Sequence, residues 1–304
     1  MINEKVAMNL PNFLIIGAAK SGTTALHNYL QQHPQVYMTP EKETNFFAFA
    51  GENLHFQGPG DTAINTFSIT DLENYAAQFA EVTDETALGE ACPLYLYHPQ
   101  APDRIKANIP DAKLIVILRS PVERAHANFL HLVRDGREPH PDFAHALKDE
   151  TQRIRDNWEW FWHYRQQGFY ATQLQRYYDR FPSNQIKIYL YEDLVHSSEN
   201  LLRDIFQYLE VDPSHMPDMT IRPNKSGVPK NRLMHRILTQ PNPLKAMLKP
   251  LFPERLRQKI QHQNLGKPQI SPEVRQSLAA LYRDEILHCQ DLIQRDLTAW
   301  LATA

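Results

Sequence analysis

FLIIGAAKSGTTALHNYL, residues 13–30, reads as a short apolar strand, a glycine-containing turn and the start of a helix. That order gathers backbone N–H groups and a helix N-terminus around one point, the geometry that cradles a phosphate. Gly17 and Gly22 keep the spacing of a nucleoside-triphosphate loop. However, Thr23 follows Gly22 where that motif has lysine, and the lysine sits inside the turn as Lys20. From there it can reach a bridging oxygen between a phosphate and a group in transfer, while Ser21, Thr23 and Thr24 supply hydroxyl donors beside Gly22.

Working outward, short aliphatic runs at 87–88, 114–118 and 186–190 read as further strands of a buried parallel sheet. Patterns at 24–32, 99–107, 121–133 and 200–209 read as the intervening helices, and two closing helices are expected at about 271–288 and 290–302. The alternation predicts an α/β layer fold. Loops are expected near 58–60, 138–141 and 220–229, with 241–268 the least regular stretch.

The 304 residues are 42% hydrophobic, enough for a substantial core, and one domain is expected over 1–304, with its core at about 11–235 and an irregular helical part at about 236–304. A formal charge of −3 gives no global attraction for nucleic acid or an anionic membrane, so anion binding has to be local. No run approaches the roughly 18 apolar residues of a membrane span, and a cytoplasmic protein is expected. The two cysteines, Cys92 and Cys289, lack metal-ligand spacing and are expected to be reduced and buried. His126, His131, His140 and His145 form no zinc pattern, so no metal is expected. Oligomeric state is not legible.

IGAAKSGTTALHNYL resembles the 5′-phosphosulfate loop of sulfotransferases that use 3′-phosphoadenosine-5′-phosphosulfate (PAPS). The resemblance continues in KETNFF (42–47), LRSPVERAHANFLH (118–131), GFYATQLQRYYDRF (168–181), YEDL (191–194) and NKSGVPKNR (224–232), and looks closer to bacterial and glycan-type members than to the cytosolic phenol and steroid enzymes. It implies a P-loop NTPase-like three-layer fold, a central parallel β-sheet flanked by helices. PAPS would be the co-substrate, 3′,5′-bisphosphoadenosine (PAP) the product, and a small-molecule, lipid or glycan hydroxyl, or less readily an amine, the acceptor. Arg119, at the end of the 114–118 strand, falls at the 3′-phosphate site, where a guanidinium fork suits phosphate oxygens. The family's serine eight residues on is Ala127 here, so Asn128 or His126 is the candidate replacement. Lys225, Ser226, Gly227, Lys230 and Arg232 resemble the family's late basic loop over that phosphate.

Transfer requires a base for the acceptor's proton. Similarity to the glycan-type motif puts it at Glu43, with Lys20 stabilising the leaving phosphate. The aromatic run NWEWFWHY is expected mainly in packing, with Trp158, Trp162 and, on the 121–133 helix, His126 candidates for acceptor contact. The basic stretch 245–267 reads as solvated helical faces. Two rivals stand beside this reading. A P-loop kinase using magnesium ATP is disfavoured by Thr23 and Arg119, and a non-catalytic nucleotide-binding protein would tolerate loss of Glu43.

Overall fold

The structure is a computed structural model that describes residues 8–140, 142–220, 228–229, 265–266 and 268–302. Five strands, β1 (Phe13–Gly17), β2 (Val36–Met38), β3 (Ala87–Ala91), β4 (Lys113–Leu118) and β5 (Ile186–Leu190), form one parallel sheet in the order β2-β3-β1-β4-β5. Between β1 and β4 run α1 (Thr23–Leu30), α2 (Phe46–Phe49), α3 (Thr62–Phe67), α4 (Leu72–Ala77), α5 (Leu94–Tyr97) and α6 (Ala101–Asn108). After β4 come α7 (Pro121–Arg134), α8 (Phe143–Arg155) and α9 (Tyr170–Tyr178). After β5 come α10 (Tyr191–His196), α11 (Ser198–Tyr208) and the described closing helix α12 (Pro272–Ile293).

The apolar runs of β1 and β4 are continuous because both faces of the sheet are covered. Leu14, Ile16, Leu114, Val116 and Leu118 point into one layer with Leu94, Ile105, Phe129, Leu174 and Tyr282. Phe13, Ile15, Ile115 and Ile117 point into the other with Leu26, Leu30, Leu202 and Ile205. This is the expected α/β fold with a parallel sheet between two helical layers. Cys92 and Cys289 are free and buried, as expected.

The helices α2 to α5 and α8 to α10 were not expected from the sequence, and three further differences concern the sheet and the closing helix. β2 was not anticipated, because three residues beside a proline give too little alternation to register. β3 continues past 88 through Gly89 and Glu90, poor strand formers that the sheet accepts because their neighbours fix them. The predicted break at residue 289 is absent. α12 runs on to Ile293 and ends at Gln294 in left-handed backbone (φ 53), followed by a short 3-10 turn at Thr298–Leu301. Tyr282, Ile286, Cys289 and Trp300 all join the core that covers the first face of the sheet.

Gly89 has a packing reason. It pairs with Phe13 across β3 and β1, and a Cβ there would lie 2.0 Å from Phe13 Cζ. Gly89→Ala is therefore expected to lower stability by roughly 1–3 kcal/mol through overpacking, read from the shift of a urea unfolding midpoint.

Candidate active site

The turn Ala18–Gly22 leaves the carboxyl end of β1. The chain from β3 crosses β1 to reach β4 there, so the strand ends open a crevice where α/β sheets bind ligands. Lys20 (φ 65) and Gly22 (φ 103) are both left-handed. A Cβ on Gly22 would lie 2.5 Å from Leu194 Cδ2, so glycine is required on both counts. Ser21 N–H bonds back to Ala18 O at 3.2 Å. The N–H groups of Lys20, Gly22, Thr23 and Thr24 find no acceptor among the described residues, leaving a row of donors at the positive end of α1. The three expected hydroxyls are not equivalent. Ser21 is fully inaccessible, its Oγ meeting no hydrogen-bond geometry among the described residues, and Thr23 is buried, while Thr24 stays half-exposed.

Lys20 Nζ lies 2.9 Å from His131 Nδ1, and Arg134 Nη2 lies 3.0 Å from the same nitrogen. Both cations donate, so Nδ1 is the accepting nitrogen, and Nε2 carries the proton toward Asp135 Oδ2 at 3.2 Å. Burial, with Lys20 beside it, pushes the His131 imidazole down to about 3, so the ring stays neutral. The Lys20 ammonium is itself pushed down to about 8, first by burial and then by Arg134, with Glu43 and Asp135 opposing. His131, Arg134 and Asp135 received no role from the sequence. Their signal was helical spacing: His131 and Asp135, four residues apart across the last turn of α7, share one face, with Arg134 beside them.

Arg119 follows β4, half-buried, with Nη1 3.3 Å from Lys20 O and its guanidinium 4.7 Å from the Tyr191 ring centroid. The loop that carries the lysine and the strand-end arginine thus meet at the carboxyl end of the two central strands β1 and β4.

The proposed replacements for the missing serine do not sit in that opening. Asn128 is inaccessible and donates to Phe161 O at 2.6 Å, tying α7 to the 160–162 turn. His126 is buried against Phe143 and Phe129, and burial lowers it to about 4, so it packs as a neutral ring. Trp162 is likewise a correction. Its indole is fully buried and donates to Asp61 Oδ1 at 3.0 Å, with Trp158 edge-on to it at 4.8 Å and the Arg153 guanidinium over both rings. These two tryptophans are held by packing, and Phe161 of the same run stacks on His131, the partner of Lys20, at 5.2 Å. Lys225, Ser226, Gly227, Lys230 and Arg232 lie outside the described residues, as does nearly all of 245–267.

Glu43 lies half-exposed in a turn on the crevice rim, ion-paired with Lys42. Its φ of 65 and the φ of 61 at Asn45 are left-handed, a costly conformation for such residues that only surrounding contacts sustain. Glu43 N–H donates to Ala91 O at 3.1 Å, which ties the turn to the end of β3. The crevice therefore presents a lysine, backbone donors, an arginine and a carboxylate. That set can bind an anion, stabilise charge on a leaving oxygen and take up a proton. Among the described residues no group of three or more His, Cys, Asp or Glu could hold a metal ion, and no helix is long and apolar enough to cross a membrane.

Comparison with known proteins places this arrangement. The profile of the sulfotransferase family matches residues 11–215. A membrane-associated sulfotransferase, kil1, of Dictyostelium discoideum is 34% identical over 48% of this chain and 29% of its own length. The bifunctional heparan sulfate N-deacetylase/N-sulfotransferase 4 of Mus musculus is 26% identical over 73% of this chain and 25% of its own length. The chain thus spans less than a third of the length of the curated relatives it matches. The crystal structure of a sulfotransferase from Alicyclobacillus acidocaldarius superposes with a TM-score of 0.78 at 33% identity, covering 97% of this chain and 100% of that one.

Proposed function

We propose that this chain, which belongs to the sulfotransferase family, moves the sulfuryl group of PAPS onto a hydroxyl of a small-molecule, lipid or glycan acceptor, releasing PAP and the sulfated product. The observation that carries the reading is the convergence of Lys20, the N–H row of Lys20, Gly22, Thr23 and Thr24 that has no acceptor among the described residues, Arg119 and Glu43 on the crevice at the carboxyl end of β1.

In this reading the loop N–H groups and Thr24 hold the 5′-phosphosulfate, and Arg119 takes the 3′-phosphate. The acceptor oxygen attacks sulfur in line as the bond from sulfur to the bridging phosphate oxygen breaks. The electron pair of that bond goes to the phosphate, where Lys20 meets the developing charge, and Glu43 accepts the acceptor's proton. Positioning and preorganised charge carry most of such a reaction. His131, neutral and accepting through Nδ1, aims the Lys20 ammonium without competing with it for charge.

Calorimetry with PAP, with ATP and with ATP plus magnesium tests the reading, followed by transfer from labelled PAPS to a panel of hydroxyl and amine acceptors. Tight binding of PAP with sulfated product is expected. Binding confined to magnesium ATP would overturn the proposal in favour of a kinase. The same calorimetry carries a pH prediction. Lys20 is cationic below about 8, so PAP affinity is expected to hold through neutrality and weaken as the pH rises past that value.

A further inference from the structure

We propose that Glu90, a buried carboxylate at the end of β3, positions Glu43 for the transfer reaction by gripping Thr44 between the two left-handed residues of the turn. The inference rests on the reading of Glu43 as the base.

Glu90 is fully inaccessible, and among the described residues no cation pairs with it. Three hydroxyls meet it instead. Thr44 Oγ1 donates to Oε1 at 2.5 Å, Tyr75 donates to Oε2 at 2.7 Å, and Tyr95 lies 3.0 Å from both oxygens. Burial raises the proton affinity of the Glu90 carboxyl while the Thr44, Tyr75 and Tyr95 hydroxyls oppose that rise, and a hydroxyl that donates to Glu90 turns its lone pairs outward. Two of those lone pairs receive the first N–H groups of α2: Phe46 N–H reaches Thr44 Oγ1 at 3.4 Å, and Phe47 N–H reaches the Tyr95 hydroxyl at 3.3 Å.

Three consecutive residues of the strand end each hold one residue of the turn. Glu90 takes Thr44, Ala91 O takes the N–H of Glu43, and the Cys92 thiol donates to Asn45 Oδ1 at 3.2 Å. Left-handed backbone at Glu43 and Asn45 costs of order 1–3 kcal/mol at each. A turn strained on both sides of Thr44 would relax without such anchors and carry the Glu43 carboxylate away from the acceptor. Glu90 itself is enclosed by side chains and touches no opening, so it acts through the turn and is a positioning residue.

The test uses the full chain, labelled PAPS and the acceptor panel, with PAP affinity measured beside turnover. Thr44→Val deletes only the hydroxyl and is expected to reduce turnover roughly 10- to 100-fold, the scale of a misplaced catalytic group, with PAP affinity unchanged. Thr44→Ser, which keeps the hydroxyl, should recover most of the rate. In a Glu43→Gln background Thr44→Val should cost nothing more, because both changes remove the same contribution. Wild-type turnover in Thr44→Val, a loss additive with Glu43→Gln, or a parallel loss of PAP affinity would each overturn the inference and leave the base assignment standing. Undiminished turnover in Glu43→Gln alone would sink both. Glu90→Gln is the direct variant, and should it fail to fold, the Thr44 pair still decides.

Discussion

Glu43→Gln is expected to bind PAP as the unaltered protein does and to lose about 100- to 10,000-fold in turnover, the range for a general base. The substitution keeps the shape of the side chain and its place on the turn. The Ala91 carbonyl receives the residue 43 N–H, which the change leaves in place, and Thr44 and Asn45 keep their own anchors. What disappears is the capacity to take a proton, together with the ion pair to Lys42. Transfer from labelled PAPS, with calorimetry on the same preparation, separates the two quantities. Near-normal turnover would falsify the assignment of Glu43.

Lys20→Met is expected to lower turnover by about 100- to 1,000-fold, the scale of losing one preorganised donor at a developing negative charge. Unlike the first variant, it should also weaken PAP binding, because the same ammonium meets the 5′-phosphate in the product. Stability should move the other way. Folding buries Lys20 beside Arg134 and lowers its proton affinity from the ordinary 10.5 to about 8. The cationic form is therefore less favoured in the folded chain than in the unfolded one. That penalty is fully present below about 8 and is relieved as pH rises from there toward 10.5. Near neutrality the Met variant should melt no lower than the parent protein, and higher if His131 and Arg134 keep their places. A large fall in melting temperature together with lost turnover would point to an unfolded loop rather than to missing charge.

Much of this protein was decided by residues adjacent in the chain. The strand, turn and helix of residues 13–30 needed only local periodicity and two glycines, because a phosphate-binding turn is built from its own backbone. β4 and α7 were legible for a related reason. A continuous aliphatic run and a proline at a helix start state their conformation locally. The family followed from the same motifs, which carry Lys20, Arg119 and Glu43 in their own text.

Only the tertiary structure decided what those residues meet. His131 was in plain view in a motif, yet its role depends on Lys20, 111 positions away in the chain, reaching its Nδ1. Trp162 and Asn128 looked like candidates for the opening and turned out to be buried, because burial belongs to the packing of α7 against the 160–162 turn and not to residue type. Glu90 received no role from the sequence, and its partners Thr44 and Tyr75 come from segments 46 and 15 residues away. Sequence fixes which groups exist and how each short segment folds. Their directions, their neutral or charged state and their partners emerge when the strands align and water is excluded, because desolvation and hydrogen bonding act between segments brought together by the sheet.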